Sequence, residues 1–257
     1  MVFNLSEKEF LFLCFAAGAT KVIGIEDAFK NINTDDMSSE IRKVHNSLEG
    51  KNYIESDFDG NSLINKILLD YIRVCVSCEK IAMFNSSKEN CFETINYYVD
   101  NEFCIKAKKE DGFYTLSKIS IDELQDDYMS NISFRNANKF NTNYEIIFKQ
   151  KELEQIKCDL RTEKKEKTLS QLKTRIKDEF LEVIVSALEE KEDFYALAII
   201  NNMGENLLET IMIIDAEKGA LIVQPQIVDL ENAVRFITCN QDEISSLINR
   251  FVKKITE

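Results

Sequence analysis

The sequence predicts an α+β protein of two quasi-symmetric halves. Each half is an antiparallel β-meander with flanking helices, and a winged-helix-like segment precedes the first. Three observations carry this. Residues 105–119 (IKAKKEDGFYTLSKI) and 213–225 (IIDAEKGALIVQP) both read as strand, tight turn ending in Gly, strand. Each is followed by a helix opened by a capping box, Ser120 with Glu123 and Asn240 with Glu243. Each meander is also preceded by a helix with apolar residues at helical spacing.

The elements follow in order. Ser6 and Glu9 form a capping box that opens a helix burying Phe10, Leu11, Leu13 and Cys14. IGIEDAF reads as a second short helix and MSSEIRKVHNSLEG as a third, stopped by Gly50. A short strand with a turn at Asp59-Gly60 comes next, completing the order of a winged helix. A helix over 62–78 places Leu63, Ile67, Tyr71 and Val74 on one face. From Glu79 the period changes to two, giving four antiparallel strands up to 119 and then the helix at SIDEL.

The Asn-rich stretch 133–143 is the expected boundary, dividing the chain into 1–135 and 136–257. The first part holds the winged-helix-like segment 1–78 and an α+β unit, 79–135. In the second, YEIIF reads as a strand, KQKELEQIKCDL as a helix and RTEKKEKT as a solvated connector. One long helix is expected over 169–190, then strands FYALAIINN, LLETIMIID, GALIVQP and AVRFITC, and the last helix from NQDEI. Units 80–132 and 169–257 should superpose with Gly112 and Gly219 at equivalent turns, QIVDLENAVRFITC being an insertion in the second.

Bulk composition narrows the function. The 257 residues, 44% hydrophobic, suffice for one large or two modest cores. With 32 Lys+Arg against 45 Asp+Glu the net charge is −13, which repels phosphate backbones and anionic lipid. Nucleic-acid binding and membrane insertion are therefore not expected. One Pro and seven Gly leave no flexible linker tract, and seven scattered Cys fit a reducing, cytoplasmic setting. The apolar N-terminus lacks a basic flank, so it reads as a buried helix and not a signal peptide. No apolar run reaches the roughly eighteen residues of a spanning helix.

No catalytic or metal constellation emerges, and no cofactor is expected. Cys75 and Cys78 form the one CxxC, but it lies late in an amphipathic helix, away from the helix N-terminus that would activate a thiol. A zinc site would need two more ligands from a partner motif that the sequence lacks. His45, the single histidine, has no nucleophile motif nearby. The acidic run DELQDD is accounted for by the helix dipole. A winged-helix transcription regulator with a ligand-sensing α+β domain is the alternative class, with Arg42, Lys43, His45 and Lys51 on its recognition helix beside Glu40 and Glu49.

The opening LSEKEFLFLCFAAGA, the hairpin FCIKAKKEDGFYTLSKI with its helix SIDELQDDYMSNI, and the C-terminal YALAIINN, LETIMIIDAEKGALIVQP and QDEISSLINRFV resemble the EspG family. These are cytosolic, substrate-specific chaperones of type VII (ESX) secretion. The resemblance implies two quasi-symmetric α+β halves and a non-enzymatic protein that holds an aggregation-prone secretion substrate. The Asn/Lys/Ile-rich composition suggests an AT-rich genome, which makes a WXG- or LXG-type helical protein the expected partner.

The runs ALAII, TIMII and ALIV are continuous, so both faces of their sheet should be covered. Helices 169–190 and 241–255 can cover one face; the other half, or a second copy in a homodimer, must cover the other. That leaves loops for recognition, and three apolar residues on polar loops are the candidate partner-binding residues: Phe134, Phe140 and Met203.

Overall fold

The computed structural model describes residues 1–56, 62–88, 91–101, 103–133, 137, 143–189, 193–201 and 206–256. The order is β1 (Val2–Ser6), α1 (Glu7–Ala16), α2 (Thr34–Gly50), a small hairpin β2 (Ile54–Ser56) and β3 (Ser62–Ile64), then α3 (Lys66–Ser77). The first meander is β4 (Lys80–Lys88), β5 (Cys91–Val99), β6 (Phe103–Glu110) and β7 (Phe113–Ser120), closed by α4 (Ile121–Asn131). The second half runs β8 (Glu145–Lys149), α5 (Gln150–Leu160), α6 (Lys165–Lys173) and α7 (Asp178–Glu189). Its meander is β9 (Asp193–Asn201), β10 (Asn206–Ala216), β11 (Gly219–Val228) and β12 (Glu231–Cys239), closed by α8 (Gln241–Thr256).

All ten long strands join one antiparallel sheet in the order β1-β7-β6-β5-β4-β9-β10-β11-β12-β8. The sheet is symmetric about the β4–β9 pair, where Lys80 faces Asn201 and Ser87 faces Phe194. Each half contributes a strand entering a helix, further helices, a four-stranded meander and a capped helix. The duplication therefore extends over nearly the whole chain: β1 and α1 correspond to β8 and α5, α3 to α7, and α4 to α8.

Three cores hold the sheet. On one face α4 and α8 lie together over the central strands, with Leu124, Tyr128, Ile248 and Phe251 against Phe84, Tyr97, Leu197 and Ile213. Tyr128 stacks on Tyr97 at 4.5 Å, and the Tyr97 hydroxyl donates to Asp127, which also pairs with Lys106 at 2.8 Å. On the opposite face α1, α2 and α3 pack beneath the first half around Phe10, Leu48 and Ile72. There α5, α6 and α7 pack beneath the second half around Phe148, Phe180 and Leu221. The bundle face thus carries one helical bundle per half.

Several expectations are corrected. Residues 2–6 form an edge strand, Phe3 and Leu5 alternating inward before Ser6 caps α1. IGIEDAF contains turns and bends but no helix; Asn96 Nδ2 donates to Gly24 O (3.0 Å) and the Tyr98 hydroxyl to Ile23 O (3.2 Å), tying this segment flat over β5. The expected helix 169–190 is two helices, and the solvated connector forms the start of α6. α7 and α8 cover opposite faces of the sheet, not the same one. Gly112 and Gly219 are not equivalent, because Gly112 ends the β6–β7 turn and Gly219 the β10–β11 turn. The counterpart of Asp111-Gly112 is Asp229-Leu230, and the supposed insertion is the rest of β11 followed by β12.

Candidate interaction surface

Five of the seven cysteines are buried, and Cys91 and Cys158 are exposed. Cys75 and Cys78 are buried beside Cys14 and Tyr98; burial pushes Cys75 well above the ordinary thiol range and Cys14 to about 12. Cys14 and Cys75 therefore carry little of the nucleophilic thiolate at neutral pH. Burial likewise raises Cys104 and Cys239 to about 12. His45 Nε2 lies 2.6 Å from Ser62 Oγ, with Glu49 at 3.8 Å from Nδ1. Among the described residues no cluster of three His, Cys, Asp or Glu is placed to hold a metal.

Two of the basic residues of the supposed recognition helix, Lys43 and Lys51, are ion-paired. Lys43 and Lys8 both bind Glu40, at 2.5 and 2.6 Å, and Lys51 reaches back to buried Glu9 at 2.6 Å. Those hydrogen bonds hold the Glu40 carboxyl down at about 2. Lysines engaged this way release fewer counterions to a polyanion than unpaired ones do. Among the described residues no helix is long and apolar enough to cross a membrane.

Phe134, Phe140 and Met203 lie outside the described residues. The chain flanking them is described: Ser133 and Tyr144 sit at one end of the sheet, and Asn201 and Asn206 at the other.

The described residues present an apolar patch at the outer end of β10, β11 and their neighbours. Leu207 and Leu208 at the head of β10 are 58% and 52% exposed, and Ile227 near the end of β11 is 73% exposed. Leu230 at the β11–β12 turn is 98% exposed. By strand alternation Leu207, Met212, Pro225 and Ile227 share the bundle face with half-buried Ala196, Ala198 and Ile200. The continuous apolar runs of this half are therefore covered fully on the α4/α8 face but only partly on the other.

Two backbone features shape the patch. The β11–β12 turn joins paired Val228 and Glu231 through Asp229 and Leu230, both left-handed at φ 52° and 65°. This is the type I′ geometry that favours Gly at the second position, and a leucine there costs about 1 kcal/mol. The second feature lies between β10 and β11. Pairing runs from Ala216–Gly219 only to Met212–Val223, although β10 begins at Asn206 and β11 continues to Val228. The unpaired ends enclose a cleft lined by Leu207, Leu208, Thr210, Gln224 and Pro225. On the α8 side Lys254 pairs with Glu209 at 2.6 Å and also lines the cleft.

The bulged Leu208 and unzipped strand ends had no visible signature, because register depends on the partner strand. Leu230 was legible only as an apolar residue after Asp.

No family model matches the chain. No curated protein matches it either. Among solved structures, the fold is similar to the Mycobacterium tuberculosis type VII secretion system chaperone EspG5, in its complex with the PE25-PPE41 dimer. The TM-score is 0.64 at 9% identity, over 99% of this chain and 95% of that one. At this identity the likeness shows a shared fold.

Proposed function

We propose that this chain is a non-enzymatic, cytoplasmic binding protein of type VII secretion, a chaperone or adaptor that holds a helical secretion substrate. The observation that carries the reading is the apolar patch of Leu207, Leu208, Ile227 and Leu230, together with a leucine kept in a left-handed turn at a cost to the fold. Exposure and strain are both disfavoured in an isolated protein, and a partner that buries Leu230 offsets them. The fold likeness to a secretion chaperone over 99% of this chain supports a secreted protein as the class of partner. A WXG- or LXG-type protein with apolar residues on a helical hairpin is the proposed substrate.

The test is co-expression with small helical-hairpin proteins of that type, followed by size-exclusion chromatography and calorimetry. A stable complex is expected, weakened about tenfold or more by Leu230→Asp. Failure of every such protein to bind, or full affinity in the Leu230→Asp variant, overturns the reading.

A further inference from the structure

The unzipped stretch between β10 and β11 has an identifiable chemical cause. Their two-residue turn closes on Ala216–Gly219, so the hydrogen-bonded pairs of the ladder fall at every second step, at Ile214–Leu221 and Met212–Val223. Extended by one more such step, the same register sets Thr210 against Pro225. Pro225 has no N–H to donate, and its ring occupies the space where the neighbouring strand would approach. It is the single proline of all 257 residues, and it stands where the ladder stops.

A second disturbance lies opposite. On its other side β10 pairs Leu207 with Ile200 and Glu209 with Ile199, leaving Leu208 as an extra, bulged residue. The bulge bends the head of β10 and exposes two consecutive leucines. The first half carries neither device. There β5 and β6 pair from Val99–Cys104 through to Thr94–Lys109, leaving Cys91–Glu93 of β5 and one residue of β6 at each end unpaired, a shorter opening than the five residues Gln224–Val228 of β11.

We propose that Pro225 is a spacer that holds the outer ends of β10 and β11 apart, so that Leu207, Leu208 and Ile227 remain available as the partner's binding surface. The inference rests on the binding role given above and identifies the residue that maintains that site. With a residue able to donate at 225, Thr210 and residue 225 would pair, the cleft would narrow, and the adjoining side chains would pack on one another. The chain forgoes sheet hydrogen bonds and keeps an open apolar cleft.

The experiment compares wild type with Pro225→Thr and Pro225→Ala by amide hydrogen exchange and by titration with 1-anilinonaphthalene-8-sulfonate, a dye that fluoresces in apolar clefts. Exchange at Thr210 and at residue 227 should slow about tenfold in Pro225→Thr, as expected for one or two added net hydrogen bonds. Dye fluorescence should fall severalfold. Pro225→Ala, which restores the N–H without a β-branched side chain, should show the same changes at smaller size. Unchanged exchange in both variants would show that Pro225 is not the spacer. Slowed exchange with undiminished dye binding would show that the cleft is not the exposed apolar site. Neither readout uses a protein partner, so both remain informative if no helical substrate binds and the chaperone reading fails.

Discussion

The two halves share one plan and differ where the second is left open. In the first, the segment between α1 and α2 lies across β5, so Asn96 and Tyr98 are fully buried under Ile23 and Gly24. In the second, α5 and α6 are separated by residues 161–164 alone. By register Met83 pairs with Asn96 and Ala196 with Met212, which makes Met212 the counterpart of Asn96; it is 38% exposed. The hairpin tips differ in the same sense. Asp111-Gly112 satisfies its left-handed turn at φ 49° and 79°, whereas Asp229-Leu230 places a bare leucine there. A duplicated fold offers two equivalent surfaces, and this chain has closed one and kept the other exposed. Phe92 and Phe113, exposed in the first half, point to opposite faces of the sheet by alternation and form no common patch.

The comparison breaks first at Gly24. Its φ of +80° suits only glycine, and an added Cβ would lie 2.7 Å from Asn96 Nδ2. Since Asn96 is fully buried, it has little room to yield. Gly24→Val should therefore lift the segment off β5 and cost about 3 kcal/mol in chemical denaturation. It should also expose β5 to hydrogen exchange. A loss below about 0.5 kcal/mol would mean that the cover is loosely held and that the halves differ less than their burial indicates.

A smaller effect is expected at the helix entrances. Glu9 accepts from Ser6 N and Lys51 Nζ, both at 2.6 Å, and from Ser47 Oγ at 2.7 Å. Burial raises its pKa, but the hydrogen bonds from Lys51, Ser6 and Ser47 outweigh burial and leave it below the ordinary carboxylate value of 4.5. A depressed folded-state pKa stabilises the protein above the unfolded value, and that stability is lost as pH falls through the folded pKa. Stability should thus decline below pH 4.5, and Glu9→Gln should cost about 2 kcal/mol at pH 7 while flattening that decline. Its counterpart Glu152 meets Arg175 at the surface, so Glu152→Gln should change stability by less than about 0.5 kcal/mol. Equal losses in the two variants would contradict the asymmetry.

Much of the fold was legible because its signals are local. Both capping boxes that open α4 and α8 exist as read: Glu123 N approaches Ser120 Oγ at 3.3 Å, and Glu243 N donates to Asn240 Oδ1 at 2.9 Å. The alternation in 103–108 and the apolar runs after 193 gave the strands. The edge strand 2–6 was hidden because five residues with only two inward apolar positions, Phe3 and Leu5, give too short an alternation to read. The break between α6 and α7 contains neither Gly nor Pro, and its buried Ile176 continues the helical spacing across it. The repeat was aligned on its glycines, and that misled, since the equivalent turn of the second half holds leucine. The site was the least legible part. It depends on which strands pair and where pairing ends, and a lone proline reveals that only once its neighbour is known.

The smallest energetic effect carries the sharpest test of the comparison. Leu230→Gly gives the second hairpin the residue that the first already has at Gly112. Relief of the left-handed strain should stabilise the protein by about 1 kcal/mol, less the entropy that a glycine adds to the unfolded chain. Because the side chain is 98% exposed, no packing is lost to offset this gain. The net change should be a small rise in the denaturation midpoint with an unchanged denaturant slope. If the tip is only a tolerated surface leucine, binding to a helical substrate should stay the same. If it is the anchor, affinity should drop about tenfold or more while stability rises. Opposite movement of the two quantities in one variant cannot come from damage to the fold, so it separates a binding residue from a structural one. A midpoint that falls, with affinity intact, would show that Leu230 supports its own hairpin and that the two halves end in equivalent turns.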